Sequence, residues 1–152
     1  LLSSKEEETP NGAILEGMHF LCAEDNELNA EILTELLKMK GAECTICENG
    51  QKVVETFEQS VPGAYDMILM DVQMPVMNGY DAARAIRRSL HKQAGTIPII
   101  AMTANAFSED IRHSLTAGMN AHISKPVDMM LLEKTIRSIK SGGGAETQAD
   151  KE

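Results

Sequence analysis

The stretch YDMILMDVQMPVMNG, residues 65–79, contains an apolar run that ends in a carboxylate. Residues 66–70, DMILM, are typical of a buried strand, and Asp71 follows them directly, ahead of a Met-Pro-Val-Met loop. A charged side chain at the edge of a core is costly unless a neighbouring group compensates it. The stretch therefore raises the question of which groups elsewhere in the chain face Asp71.

Around this stretch, short apolar runs alternate with amphipathic segments about five times. The predicted strands are MHFLCA (18–23), ECTIC (43–47), DMILM (66–70), IPIIAM (97–102) and MNAHIS (119–124). The predicted helices are NELNAEILTELLKMK (26–40), QKVVETFEQ (51–59), YDAARAIRRSL (80–90), SEDIRHSLTAG (108–118) and DMMLLEKTIRSI (128–139). This alternation predicts one parallel sheet covered by helices on both faces. The apolar stripe of the first helix consists of Leu28, Ile32, Leu33, Leu36 and Leu37.

The length of 152 residues fits one domain with polar ends. The predicted domain spans 17–140, between a linker or disordered segment at 1–16 and a disordered, Gly-rich tail at 141–152. The 12 residues after Lys140 are too few for a helix-turn-helix domain. Since no run reaches the roughly 18 apolar residues that a membrane helix needs, we expect no membrane contact by this segment.

Charge and cysteine content narrow the class of protein further. The formal net charge is −9, of which the two terminal segments carry −3 and −2, so the central 124 residues carry −4 and form no basic stripe. Direct nucleic-acid binding is therefore not expected. Three cysteines, an odd number, favour a reducing cytoplasm over a disulfide framework. Cys44 and Cys47 form a C-x-x-C motif that we interpret as two core cysteines, with a metal or redox pair as the alternative.

Four of the five predicted strands end in a charged or hydroxyl side chain. Glu24 and Asp25 follow the first strand, Asp71 the third, Thr103 the fourth and Lys125 the fifth. In open parallel sheets the working site lies beyond the carboxyl ends of the strands. We therefore expect these side chains to meet at one edge of the sheet.

Three carboxylates at one edge repel one another, and a divalent cation together with an ammonium group is the simplest compensation. Mg²⁺ prefers hard oxygen ligands, which Glu24, Asp25 and Asp71 supply. A carboxylate kept ionised beside a metal can act as a nucleophile. With Lys125 and the Thr103 hydroxyl around an incoming phosphoryl group, transfer onto Asp71 would be stabilised by position and charge.

Four segments in this order resemble the motifs of response-regulator receiver domains. They are AEDNELN (23–29), ILMDVQMPVMNG (68–79), IIAMTA (99–104) and HISKP (122–126). The similarity runs from about residue 18 to residue 139 and is closest to the receivers of hybrid sensor histidine kinases. It implies a flavodoxin-like (βα)5 fold, doubly wound, with five parallel strands in the order 2-1-3-4-5.

The resemblance also implies a role for each site residue. Asp71 would be the phosphoacceptor, and it would share the Mg²⁺ with Glu24, Asp25 and the main-chain carbonyl of Gln73. Thr103 would reorient as part of the switch to bond one phosphoryl oxygen.

Lys125 would contact another phosphoryl oxygen, and its peptide bond to Pro126 would be cis. His122 stands where the family often has Tyr or Phe as the switch residue. This departure leaves the size and direction of the switch open.

The same resemblance implies the partners and the setting of the chain. The phosphoryl donor would be a histidine kinase or a histidine phosphotransfer domain. The chain would be a fragment of a hybrid histidine kinase, cytoplasmic, whether or not the parent kinase has a membrane anchor. By itself the chain would catalyse its own Mg²⁺-dependent phosphorylation and dephosphorylation, without being a turnover enzyme.

Two other functions are alternatives. A phosphatase of the haloacid-dehalogenase type also uses Mg²⁺ and an aspartate nucleophile, but it needs a second aspartate where this chain has Gln73. A receiver scaffold that only binds a partner would have lost its chemistry, whereas the acidic set, Thr103 and Lys125 are complete here.

Away from the site, we interpret Met74 and Met77 as packing of the loop. Three arginines, Arg84, Arg87 and Arg88, are interpreted as a solvated helix face.

Overall fold

The computed structural model describes residues 14–104 and 108–141, without the side chains of residues 108–111. Five strands alternate with five helices along the chain. The strands are β1 (His19–Ala23), β2 (Glu43–Cys47), β3 (Met67–Asp71), β4 (Ile99–Thr103) and β5 (Ala121–Ser124). The helices are α1 (Glu27–Met39), α2 (Gly50–Gln59), α3 (Gly79–Arg88), α4 (Ser108–Thr116) and α5 (Met129–Lys140). Each predicted element is present, with bounds that differ by at most two residues.

The strands form one parallel sheet in the order β2-β1-β3-β4-β5, as predicted. Strands β3 and β4 are buried along their whole length, which explains their lack of polar alternation. Strand β4 begins at Ile99, two residues later than predicted, because Pro98 has no N–H to give to the ladder. Strands β2 and β5 are the two outer strands of the sheet.

Two apolar clusters cover the two faces of the sheet. One face carries α2 and α3, with Phe57 and Ile86 fully buried against β1, β3 and β4. The opposite face carries α1 and α5, with Leu37 and Ile136 fully buried. Successive side chains of each strand enter opposite clusters, as the two-residue period of a strand requires.

The apolar stripe of α1 is only partly a core face, which corrects the sequence interpretation. Leu33 and Leu37 are buried, whereas Leu28 is 63% exposed and Ile32 is 49% exposed. Helix α1 ends at Met39, and Gly41 follows its C-cap Lys40 with a φ of +86° that favours glycine. The exposed half of the stripe is therefore free for another contact.

The segment before β1 already contacts the core. Leu15 is fully buried, and the Gly17 N–H donates to the Gly41 carbonyl at 2.9 Å. Most of the predicted linker, 1–16, and of the predicted tail, 141–152, lies outside the described residues. The division of the chain at residue 16 stays a prediction, although core contacts begin before it.

Within the described residues, no helix combines the length and apolarity needed to cross a bilayer.

One of the three arginines of α3 is not solvated, contrary to the sequence interpretation. Arg87 is partly buried and donates to the carbonyls of Gly118 and Ala94 and to Asn120 Oδ1, at 2.9–3.0 Å. These acceptors lie just before β4 and β5, so Arg87 ties the end of α3 to both strands. Burial lowers the pKa of its guanidinium. By contrast, Arg84 makes an exposed ion pair with Asp81, and Arg88 is exposed.

Candidate functional site

Three carboxylates meet at the carboxyl edge of the sheet. Glu24 and Asp25 follow β1, and Asp71 is the last residue of the neighbouring strand β3. One oxygen of each carboxylate lies within 4.8 Å of the other two. Glu24 and Asp71 are buried, whereas Asp25 is exposed. Adjacency of β1 and β3 thus brings together two acidic segments that are about 45 residues apart in sequence.

Lys125 supplies a positive charge to this cluster. Its Nζ lies 2.9 Å from Asp71 Oδ2 and 3.5 Å from Glu24 Oε1. The residue follows β5, and its N–H donates to the Thr103 carbonyl at 2.8 Å, which continues the β4–β5 ladder. The peptide bond between Lys125 and Pro126 is cis.

The charges of Glu24, Asp71 and Lys125 shift the pKa values within this cluster. Burial raises the pKa of the Glu24 carboxyl, and repulsion from Asp71 acts in the same direction, against the Asn26 N–H and Lys125. Burial alone would lower the pKa of Lys125, but Asp71 and Glu24 raise it above its ordinary value. Among the described residues, Lys125 is paired with Glu24 and Asp71, and Asp25 adds a third carboxylate, so negative charge is in surplus in this cluster.

Backbone N–H groups orient the two buried carboxylates. The Asn26 N–H donates to Glu24 Oε2 and the Gln73 N–H to Asp71 Oδ1, each at 3.2 Å. Asn26 is also the N-cap of α1, since its side chain accepts from the Asn29 N–H. The start of α1 and the carboxylate before it are thus fixed by one short segment.

The loop after Asp71 is held close to the strand by glycines. A Cβ on Gly79 would collide with the Asp71 carbonyl, and a Cβ on Gly50 would collide with the Met77 carbonyl. Only glycine permits these approaches. They hold the first residues of α2 and α3 against the loop that carries Gln73.

Within this loop, Val76 has a φ of +69°, which is unfavourable for a β-branched residue. The Met77 N–H donates to the Pro75 carbonyl at 2.7 Å, so Val76 is the centre of a strained three-residue γ-turn. Met74 and Met77 are partly buried and pack against the core, as predicted. Strain of this kind is common beside functional residues.

Thr103 and His122 lie on β4 and β5. Thr103 ends β4, is 8% exposed, and lies beside Ser124 in the ladder. His122 is three residues before Lys125 and pairs with Ala101. Burial lowers the pKa of its imidazole. The switch roles of Thr103 and His122 stay predictions.

A groove that the sequence did not predict opens beside the carboxylates. It has a volume of about 330 Å³ and lies between α1 and the segment after β5. We call it the α1 groove, and it is lined by Glu24, Asn29, Ile32, Leu33, Leu36, Met102, Lys125, Pro126 and Val127. The nearest signal in the sequence is the wide apolar stripe of α1, which does not itself show how much of the stripe the core covers.

The donor set fits a hard divalent cation. Carboxylate oxygens are the ligands that Mg²⁺ prefers, and Asp25 leaves the site open to water, which Mg²⁺ retains. Glu24, Asp25 and Asp71 would hold such an ion. Asp71 has the shorter contact with Lys125, at 2.9 Å, against 3.5 Å for Glu24.

The sequence profile of the response regulator receiver domain matches residues 20–137, most of the chain. The chain belongs to the response regulator receiver family. It is 37% identical over 120 residues to hybrid signal transduction histidine kinase I of Dictyostelium discoideum, which covers 78% of this chain and 7% of that protein. It is 34% identical over 148 residues to probable histidine kinase 2 of Oryza sativa subsp. indica, covering 90% of this chain and 14% of that protein. The receiver thus spans a small part of these relatives.

Two solved receiver structures are similar in fold and sequence. The receiver domain of the histidine kinase CKI1 from Arabidopsis thaliana, complexed with Mg²⁺ and BeF3⁻, has a TM-score of 0.74 and 31% identity, covering 88% of this chain and 96% of that chain. The co-crystal of the Saccharomyces cerevisiae phosphotransfer protein Ypd1 with the receiver domain of Ssk1 gives a TM-score of 0.70 and 32% identity, covering 80% and 87%. Membership of this family argues against the phosphatase alternative.

Proposed function

We propose that this receiver accepts a phosphoryl group from a phosphohistidine onto Asp71, with Mg²⁺ bound by Glu24, Asp25, Asp71 and the Gln73 carbonyl. The single observation that carries the proposal is the cluster of three carboxylate oxygens within 4.8 Å, with Lys125 2.9 Å from Asp71. The Mg²⁺ in the similar CKI1 receiver supports the same cofactor here.

In the transfer step, the P–N bond to the donor imidazole breaks as the P–O bond to Asp71 forms. Bound Mg²⁺ would neutralise the charge on the phosphoryl oxygens. Lys125 already donates to Asp71. It would form an ion pair with a second phosphoryl oxygen when the phosphoryl group arrives. Thr103 would donate its hydroxyl to a third oxygen, and His122 on the adjoining strand would respond to that movement as the switch residue.

The test of this chemistry is the intact mass after incubation with acetyl phosphate or phosphoramidate and Mg²⁺. We expect the wild-type chain to gain one phosphoryl group, with no gain in EDTA or in Asp71→Asn. Asp81→Asn is the matched control, because Asp81 is exposed and its carboxylate pairs with Arg84 at 2.9 Å, away from the cluster. Absence of both adduct and phosphate release would indicate a binding scaffold. Rapid release without an adduct would restore the phosphatase alternative.

We further propose that the α1 groove receives the helix that carries the donor histidine, in a histidine phosphotransfer domain or histidine kinase. The groove joins the exposed apolar side chains of α1 to Glu24 and Lys125, so an amphipathic helix lying in it would bring its histidine towards Asp71. The Ypd1–Ssk1 complex supports a partner of this class.

The choice of phosphoryl donor distinguishes the docking proposal from the proposed phosphoryl-transfer chemistry. Ile32→Glu places a charge in the groove, whereas Met39→Glu places one on the same helix outside it, where Met39 is 76% exposed. We expect Ile32→Glu to lose phosphorylation by a protein donor more than tenfold and to keep phosphorylation by acetyl phosphate. Equal loss with both donors, or equal loss in Met39→Glu, would exclude the groove.

As for its setting, we propose that the chain works in the cytoplasm as the receiver of a hybrid histidine kinase. The kinase relatives and the three reduced cysteines support this setting. Deletion of the receiver from the parent kinase should then stop phosphoryl flow beyond the kinase histidine while leaving phosphorylation of that histidine intact.

A further inference from the structure

Helix α1 carries a row of apolar side chains on its outer side. Leu28, Ile32 and Met39 are exposed, and Leu36 is half-buried between the last two. Residues three and four apart are neighbours on a helix surface, so these four side chains form one line, which we call the apolar row. Ile32 and Leu36 also line the α1 groove. The apolar row therefore continues the groove onto the exposed surface of α1.

An acidic row runs beside the apolar row. Glu27, Glu31 and Glu35 are exposed, lie four residues apart, and each directly precedes a member of the apolar row. We call these three side chains the acidic row. The ion pairs formed within the part of the chain that the structure describes include none of their carboxylates. The apolar row is thus bordered along its length by negative charge that no described cation compensates.

The negative charge continues from the acidic row to the carboxyl edge of the sheet. Glu27 lines a second hollow, of about 700 Å³, between α1, β2 and α2, and Glu24 and Asp25 line the same hollow. A phosphorylated histidine is itself anionic. A helix that carries one would be repelled from this end of α1 unless positive charge on its own surface offsets the repulsion.

A second copy of this chain does not suit the same surface. In a two-fold pairing of α1 with itself, each copy would bring its own acidic row to the shared interface. Like charges that meet in an interface weaken binding. The charge pattern therefore favours a different partner, one that presents cations beside its apolar face.

We propose that the α1 surface selects an amphipathic helix whose apolar face is flanked by a row of Lys or Arg side chains. This inference rests on the proposal that the α1 groove receives the donor helix. The apolar face of that helix covers the apolar row, and its cations pair with the acidic row at the rim of the interface. Rim charges act mainly on the association rate and on its salt dependence, so the acidic row sets which helices are captured fastest.

The experiment compares two stapled helical peptides of equal length and with the same Leu face, one flanked by Lys and the other by Glu at the same positions. Binding to the native chain is followed by the amide chemical shifts in NMR at low and at physiological salt. At low salt we expect the Lys peptide to bind about tenfold more tightly than the Glu peptide, with shifts that map to α1. Added salt should reduce this difference, because it screens exposed charges.

Two matched variants separate the acidic row from net charge. Glu31→Lys reverses the central charge of the row and should lose most of the preference for the Lys peptide. Glu58→Lys makes the same change in net charge at an exposed position of α2, on the opposite face of the sheet, and should keep the preference. Equal binding of the two peptides, no binding at α1, or an equal loss in Glu58→Lys would overturn the proposal.

Ile32→Glu distinguishes this failure from a failure of docking itself. If both peptides bind α1 equally and both lose binding in Ile32→Glu, the groove remains the docking site and only the selection by charge is overturned. Phosphorylation of Asp71 by acetyl phosphate involves neither peptide, so its outcome is independent of this test.

Discussion

The two edges of the same sheet handle buried polar groups in opposite ways. At the amino edge, the Arg87 guanidinium donates to three neutral oxygens, and Asn120 Oδ1 also accepts from the Ile99 N–H at 2.8 Å. At the carboxyl edge, Lys125 faces Glu24 and Asp71, and Asp25 adds a third carboxylate. One edge is internally satisfied, whereas the other has surplus charge of one sign.

Other groups at the amino edge follow the same pattern as Arg87. The His19 N–H donates to Asp66 Oδ2 at 2.8 Å, and His19 Nε2 lies 3.0 Å from Thr45 Oγ1. From this difference we infer that the amino edge contributes stability, whereas the surplus negative charge of the carboxyl edge would be compensated by the proposed cation.

The largest effect is expected from breaking the satisfied edge. Arg87→Met keeps most of the apolar stem but removes three hydrogen bonds from a charged donor, so we expect a loss of about 3 kcal/mol in the free energy of unfolding. Urea denaturation measures this change. Arg84→Met is the control, because an exposed ion pair contributes less than about 0.5 kcal/mol. Similar losses in the two variants would contradict the contrast between the edges.

Removal of the Lys125 ammonium group should have the next largest effect. Lys125→Met leaves Glu24 and Asp71 facing each other, and we expect a loss of about 2 kcal/mol without Mg²⁺. Added Mg²⁺ should recover more stability in this variant than in the wild-type chain. The measurement is urea unfolding with and without Mg²⁺, with Lys134→Met as an exposed control. An equal Mg²⁺ effect in variant and wild type would show that Lys125 does not compensate the acids.

The pH dependence of Mg²⁺ binding sharpens the comparison. Burial raises the pKa of Glu24, so the folded apo chain holds this proton more tightly than the unfolded chain, and this contribution to stability is lost as pH rises through the raised pKa. Binding of Mg²⁺ requires the ionised form and has the opposite dependence. At a concentration about 100 times the dissociation constant, Mg²⁺ should add about 2.7 kcal/mol at neutral pH.

This Mg²⁺ stabilisation should disappear as pH falls through the raised pKa of Glu24, above the ordinary value of 4.5. Thermal unfolding from pH 5 to 8, with and without Mg²⁺, measures the pH range over which this stabilisation is lost. In Glu24→Gln we expect a weaker Mg²⁺ effect without this pH step. Persistence of the step in Glu24→Gln would assign it to another group.

The smallest effect is expected at the exposed acid. Asp25→Asn removes one charge from the surplus, so we expect the apo chain to gain about 0.5 kcal/mol while its stabilisation by Mg²⁺ falls. Glu27→Gln makes the same change in net charge but at the first residue of α1, where a negative charge is favourable. It should therefore lose a little stability and keep the Mg²⁺ effect. A gain in both variants would attribute the result to net charge alone.

Much of the carboxyl edge was accessible from the sequence, because regular alternation of strands and helices leaves few topologies. The fold class, and the strand order that the family resemblance implied, were both predicted correctly. A rule about where parallel strands end then brings Glu24, Asp71 and Lys125 together without any coordinates. Prediction succeeded there because each side chain directly follows an element that the apolar pattern defines.

The amino edge and the α1 groove were not predictable in the same way. Arg87 lies on a helix with two other arginines nearby, and two of its three acceptors are backbone carbonyls that carry no mark in the sequence. Leu28 and Ile32 continue the stripe of α1, but helical periodicity does not tell how wide the covered face is.

The sequence by itself determined the order of elements, the acids at the strand ends and the family, because these depend on local pattern and on residue identity. Only the tertiary structure decided which arginine is buried, which half of α1 remains exposed and which cysteines share a face of the sheet. Those outcomes depend on the distances between elements far apart in the chain. Such distances follow from packing of the whole sheet against its helices, and no local pattern encodes them.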